Sequence, residues 1–398
     1  MLSNRQLFLQ HLGQTSPEPM MIEIDRAEGI FLYGPGGKRY IDLVSGVSVS
    51  NIGHGNREVV SAVARQAEAH MHIMVYGEMV QAPQVGYARL LVSLLPPGLS
   101  TVFFVNSGSE AVEGAMKLAR RYTGKKGIIS FENAYHGSTF GAMSVQGSDV
   151  FSNAFRPLLP GVSRVKFNDR MVLNAVSSDT ACVIIEPVQA EAGVIAADHE
   201  FLALLRNRCD ETGTLLIFDE CQTAFGRTGT MFAFEQYGVV PDILVLAKAL
   251  GGGMPLGAFI SSPEVMASLT VNPALGHITT FGGHPVCCAA GMAALQYLIN
   301  NDTINSVKES GELFRSRLNH KLIAGIRGNG LLLAVTLTDS KYAREVVSRA
   351  PEYGLITDYF LFCCDAFRIA PPLNITNAET EEACSTLLKL LDDISSGS

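Results

Sequence analysis

TLLIFDE (214–220) is a nearly unbroken apolar run that ends on two carboxylates. A strand wetted on one face alternates apolar and polar residues. A run apolar at every position suits a strand covered on both faces, the pattern of a parallel sheet between helices. The next run downstream, ILVLA (243–247), has the same character, and so do CVIIE (182–186), GIIS (127–130) and TVFFV (101–105) upstream. Amphipathic stretches separate these runs. From Glu110 to Tyr122 the residues Ala111, Val112, Ala115, Met116, Ala119 and Tyr122 share one helical face. Strand–helix alternation of this kind predicts an α/β fold with a mostly parallel sheet.

With 398 residues the chain is too long for one compact core. Beyond about residue 290 a long helical stretch leads to RGNGLLLAVTL (327–337), FRIAPPLNIT (367–376) and a closing helix. The opening FLYGPGGKRYIDLVSG (31–46) reads as a hairpin that packs on that later part. The expected division is a large domain over 50–290 and a smaller α+β domain made of 1–49 and 291–398.

Composition excludes several classes. A formal net charge of −8 with no block of like charges argues against a nucleic-acid partner. The start, MLSNRQLFLQHLGQ (1–14), lacks the apolar stretch and cleavage site of a secretory signal. No apolar run reaches the roughly eighteen residues of a membrane span. The eight cysteines include the neighbours Cys287-Cys288 and Cys363-Cys364 but no CxxC, so reduced thiols and no metal are expected. Together these readings imply a cytoplasmic protein without a membrane partner.

In α/β sheets ligands gather at the carboxyl ends of the strands. After TVFFV come Ser107, Gly108 and Ser109 and then a helix. This is either a phosphate cradle of backbone N–H groups or a helix capped by Ser109. After GIIS come Tyr135, His136 and Gly137, where an aromatic can stack on a planar ring or pack on the core. Glu186 and Glu191 follow CVIIE, and a carboxylate there must be paired or functional. Asp219 closes TLLIFD, where an unpaired carboxylate is costly; a protonated pyridine nitrogen or an arginine would satisfy it. Lys248 closes ILVLA, where it either acts as a desolvated nucleophilic amine or snorkels outward. Neither GxxxxGK[ST] nor GxGxxG is present. A phosphate cradle, an acid for a ring nitrogen, a stacking aromatic and a buried lysine are the parts of a pyridoxal 5′-phosphate site.

The stretches SGSEAVEGAMKLAR (107–120), AYHGST (134–139), EPVQAEAGV (186–194), DECQTAFGRTG (219–229), LAKALGGGMPLGA (246–258) and TTFGGHP (279–285) resemble, in order, the class III aminotransferases, a fold-type-I pyridoxal phosphate family. The resemblance runs from about residue 20 to 390. It implies that Lys248 forms a Schiff base with the cofactor and later shuttles protons. Asp219 would keep the ring nitrogen protonated, and Gln222 would contact the ring hydroxyl. Tyr135 would stack on one ring face, with Cys221 covering the other where the family has Val or Ile. Ser107, Gly108, Ser109 and His136 complete the implied cofactor shell. Thr280 would reach the phosphate of a partner subunit, so the expected unit is a homodimer with shared sites. Arg368 matches the arginine that binds a substrate carboxylate, and Glu191 the glutamate that pairs with it when an ω-amino group is bound. The implied partners are an amino-acid or diamine donor and a 2-oxo acid acceptor such as 2-oxoglutarate or pyruvate.

Departures from the family pattern bear on the substrate. Ser138 stands where ornithine, acetylornithine and 4-aminobutyrate enzymes carry Arg, and Val47 where ornithine enzymes carry Tyr. With FRPLLPG (155–161), Ser138 resembles the putrescine-type branch. An aminomutase or decarboxylase remains the alternative within the fold. His284 replaces the usual Asn in TTFGGHP, without a functional reading.

Overall fold

A computed structural model describes residues 2–397. The central sheet has seven strands in the spatial order 101–105, 257–261, 243–246, 215–219, 180–185, 127–131 and 162–165. All five apolar runs are in it. The strand Gly257–Ser261, which the sequence reading did not mark, is inserted antiparallel between Ile243–Leu246 and Thr101–Val105. The pairs on the other side are parallel.

Burial follows the period of two. Leu216 and Phe218 pack into one apolar cluster, Leu215 and Ile217 into another on the opposite face. Helix Gly108–Thr123 covers the second face with Ala111, Val112, Ala115, Met116 and Ala119. Tyr122 departs from the expected helical face: it is 40% exposed, and its hydroxyl donates to Glu264 Oε1 at 2.6 Å. It sits in the last turn, where the helix has run past the sheet. The chain then leaves through Gly124 at φ +69°, a left-handed cap that suits glycine.

The opening hairpin forms between Phe31–Tyr33 and Arg39–Asp42, and Leu355–Ile356 from the late part of the chain adds in parallel to Arg39–Asp42. Ile323–Asn329, Leu332–Leu337 and Ala366–Ile369 form a separate antiparallel sheet. Helices Pro285–Asn300 and Thr303–Arg317 precede it, and Asn377–Ser396 closes the chain behind a Thr376/Glu379 capping box.

One buried side chain ties these parts together. Arg227 is fully buried and meets no carboxylate at hydrogen-bonding distance. Its guanidinium donates to Leu331 O (2.9 Å), Pro371 O (2.6 Å), Ser45 Oγ (3.1 Å) and Asn51 Oδ1 (2.5 Å). Burial pulls its pKa down to about 9, with Asp42 opposing and Arg368 adding to the fall. Among the described residues, no helix is long and apolar enough to cross a membrane.

Candidate active site

Sheet register assembles the site. Asp219 lies opposite Val245, so Lys248 follows two residues beyond the end of the strand beside it. Phe218 lies opposite Ile185, so Glu186 emerges next to Asp219. The antiparallel insertion restores Thr101–Val105 to the common direction, and Ser107 therefore leaves the sheet at the same edge. A cavity of about 470 Å³ opens there. Ser107, Gly108, Ser109, Tyr135, His136, Asp219, Cys221 and Lys248 line it, together with Val49, Asn106 and the loop Gly253–Leu256.

The helix that starts at Gly108 is capped by Ser107, whose Oγ accepts the Glu110 N–H at 3.2 Å. The cap is thus Ser107, not Ser109, and this leaves Ser109 Oγ free to accept the Ser138 N–H at 3.3 Å. The first-turn N–H groups and the positive end of a sixteen-residue helix face the cavity edge. Gly137, at φ +120°, closes on this cradle; a Cβ there would lie 2.0 Å from Ser109 Oγ.

Within this chain Asp219 meets a histidine and a backbone N–H, not the arginine that is the structural alternative. Its Oδ2 accepts from His136 Nδ1 at 2.7 Å and its Oδ1 from the Cys221 N–H at 3.0 Å. Burial pushes its pKa up, but these two donors prevail and hold it below the ordinary carboxylate value. His136 was legible only as a neighbour of Tyr135; its hold on Asp219 depends on two adjacent strand ends. Cys221 lies against Gly108, and burial followed by the Asp219 charge pushes its thiol well above the usual range, so it packs as a neutral group.

Lys248 has φ +53°, a left-handed conformation that costs a non-glycine residue about 1–2 kcal/mol. Its ammonium donates to Gln222 Oε1 at 2.8 Å. The Gln222 Nε2 and His136 Nε2 atoms are buried without a hydrogen-bond partner. Such orphans call for a polar ligand.

Glu191 and Arg368 meet in a second, buried cluster. Arg368 Nη2 donates to Glu191 Oε1 at 2.9 Å and Oε2 at 3.0 Å. The link to the cavity is Glu186, which accepts the Tyr135 N–H at 3.1 Å and the Ala190 N–H at 3.4 Å. Burial, then the nearby Asp219 charge, pushes the Glu186 carboxyl well above its ordinary value. Tyr135 also meets Ser138, hydroxyl to hydroxyl, at 3.2 Å.

Six expected residues lie outside the cavity wall: Gln222 and Ser138, which reach it through Lys248 and Tyr135, Glu191 and Arg368 in the second cluster, and Val47 and Thr280. Val47 sits in a turn where Ser45, Gly46, Val47 and Ser48 all have positive φ, and this reversal presents Val49 to the cavity instead. Thr280 is exposed on this chain's surface and touches neither cluster. Sequence reasoning also missed Asp358, which lies 3.0 Å from Arg368 Nε. Nine residues, most of them irregular chain, separate the two, and no periodicity could pair them.

Comparison with known proteins assigns the chain to one family. The family described as aminotransferase class-III matches residues 13–391. The acetylornithine aminotransferase of Methanosarcina mazei is 40% identical over 374 residues, covering 92% of this chain and 90% of the relative. The ornithine aminotransferase of Toxoplasma gondii superposes with a TM-score of 0.91 at 28% identity, over 100% of this chain and 97% of that one. An ω-transaminase of Pseudomonas jessenii, solved in complex with PMP, gives a TM-score of 0.89 at 27% identity over 99% of both chains.

Proposed function

The chain belongs to the class III aminotransferases and is a pyridoxal-phosphate-dependent transaminase, and we propose that it moves the ω-amino group of an ornithine- or acetylornithine-like donor to a 2-oxo acid. The observation that carries this reading is the closed Glu191–Arg368 pair. One pocket must accept an amine end while Arg368 is masked, then a carboxylate once Glu191 has moved off. Curated relatives at 37–40% identity named acetylornithine aminotransferase support the donor class.

The residues fit the cofactor: the His136 ring, with its orphaned nitrogen, the glycine-lined cradle at Ser109 and the Lys248 amine line one cavity, and Gln222, with its own orphaned nitrogen, is hydrogen-bonded to Lys248. When bound, pyridoxal phosphate supplies an electron sink and a carbonyl equivalent that takes up the amino group. In our reading Lys248 holds it covalently and afterwards moves the proton at the substrate carbon. Asp219, held ionised by His136 and Cys221, keeps the ring nitrogen protonated. Gln222 would hold the ring hydroxyl, Tyr135 and Cys221 would pack against the ring, and Ser107, Gly108 and Ser109 would hold the phosphate. Val47 and Ser138 shape the donor side.

The reading extends to a homodimer in which Thr280 completes the partner's phosphate site, and to the division into domains 50–290 and 1–49 with 291–398. Eight unpaired cysteines fit a reducing, cytoplasmic setting. A putrescine-type donor is the second reading, favoured by Ser138, whose hydroxyl offers no charge for a distal carboxylate.

Half-reaction spectroscopy with ornithine, acetylornithine, 4-aminobutyrate, putrescine and β-alanine tests the proposal. Acetylornithine or ornithine should convert the bound cofactor, and 2-oxoglutarate or pyruvate should regenerate it. Turnover without any oxo acid would point to a mutase or decarboxylase instead. Lys248→Ala should abolish turnover and leave the cofactor extractable without reduction; retained turnover sinks the role of Lys248.

A further inference from the structure

Arg368 is bracketed by two carboxylates, not one. Glu191 holds Nη2 with both oxygens, while Asp358 Oδ1 lies 3.0 Å from Nε. The Phe360 ring lies against the guanidinium, 4.7 Å from ring centroid to Cζ. Tyr359 O accepts from Nη2 at 3.2 Å. Nη1 and Nε are both buried without a hydrogen-bond partner, so the Asp358 contact is an ion pair and not a hydrogen bond. The two carboxylates are mounted differently. Glu191 rides on the short hairpin Val188–Gln189/Ile195–Ala196, and its Oε2 also accepts the Leu361 N–H at 3.2 Å. Asp358 is fixed to the arginine's own strand: the Arg368 N–H donates to Asp358 O at 3.1 Å, Thr357 Oγ1 donates to Arg368 O at 2.6 Å, and Tyr359 bridges to Phe367.

We propose that Asp358 is a positioning residue for the acceptor: it stays on the Nε edge of Arg368 when Glu191 leaves, so that the guanidinium presents its Nη1/Nη2 fork, and no other edge, to the incoming carboxylate. A planar guanidinium binds a carboxylate through two parallel N–H bonds, and which pair of nitrogens is free fixes the direction from which the acid enters. With Asp358 ion-paired along the Nε edge, Nη1 is the fork nitrogen left over for that contact. Burial pushes the Asp358 carboxyl up to about 6, with Arg368 drawing it down and Glu191 pushing it up. At neutral pH it is therefore ionised, as a standing counter-ion must be. The proposal rests on Arg368 being the carboxylate anchor of the proposed transamination.

The test compares Asp358→Ala, Asp358→Asn and Arg368→Lys in the holoenzyme, with 2-oxoglutarate as acceptor and the donor half-reaction followed separately. Losing one charge-assisted contact is worth on the order of tenfold. Asp358→Ala should raise the acceptor KM by about that factor, and by at least ~5-fold more than it slows the donor half-reaction. Asp358→Asn, which keeps the side chain's volume and an oxygen but not the charge, should recover only part of the loss. An unchanged acceptor KM in Asp358→Ala overturns the proposal, and so does an equal loss in both half-reactions without rescue by Asn. If Asp358→Ala does not fold, Asp358→Ser carries the same comparison. If Arg368→Lys raises the acceptor KM and Asp358→Ala does not, only the role of Asp358 fails. If Arg368→Lys also leaves that KM unchanged, the anchor reading itself is wrong.

Discussion

Glu220, next to Asp219 in the chain, points away from the cavity into the protein and is fully buried. Its carboxyl accepts the Ala233 N–H at 2.6 Å, the Phe234 N–H at 2.7 Å and the Thr223 hydroxyl at 3.1 Å, organising the turn after the cofactor strand. Burial pushes its pKa from 4.5 up to about 7, against the pull of those donors. The folded state therefore holds a proton that the unfolded state has released between these two values. Stability attributable to Glu220 is greatest below the lower value and falls as pH rises through the upper one, by at most about 1.4 kcal/mol per pH unit. Thermal unfolding between pH 5 and 8 should show this decline, and Glu220→Gln should flatten it. Identical pH profiles for the two proteins would remove Glu220 as the source. Two adjacent acids thus have opposite shifts because the strand's alternation sends one to the cavity and the other into the core.

The helix that begins the phosphate cradle is set by its contact with the sheet. Gly114 lies against Phe259 of the antiparallel strand; a Cβ there would come within 2.3 Å of the ring. Gly114→Ala should overpack this contact and destabilise the protein by about 1–3 kcal/mol in chemical denaturation. Phe259→Leu in the same chain should return part of that loss, because it removes the clashing ring. The apolar helical face was legible in the sequence. Why position 114 must be glycine was not, because its partner sits on a strand that reads, as GAFIS (257–261), like the end of a glycine-rich loop. Tyr122 failed the pattern for a related reason: periodicity gives the direction of a side chain, and the length of the sheet beneath decides whether anything covers it.

Among the many exposed apolar side chains of the molecule, those of two segments lie side by side. Val80 is 94% exposed, Met71 63% and Phe281 52%. The segments touch through His72 and Phe281, with ring centroids 4.8 Å apart, and through Gln84 Nε2, which donates to Gly283 O at 2.6 Å. Thr280 lies on the same surface, and a second copy of the chain is the occupant the proposed homodimer places there. Phe281→Glu or Val80→Asp should weaken self-association by about 2 kcal/mol or more in sedimentation equilibrium. Activity should fall with the dimer fraction, since Thr280 would then leave the partner's site. A variant that remains fully dimeric would move the interface elsewhere.

The sequence by itself determined the kind of sheet, because residues apolar on both faces can satisfy their burial only between two layers of helix. It also singled out Lys248, Asp219, Tyr135, Glu191 and Arg368 as the candidate chemistry-bearing positions, because each interrupts or ends an apolar run or stands in a motif of fixed spacing. Only the tertiary structure decided who meets whom: His136 with Asp219, Asp358 with Arg368, Val49 in place of Val47 at the cavity. These contacts join residues whose neighbourhood is made by strand register and by turns with positive φ, and neither leaves a periodic trace along the chain.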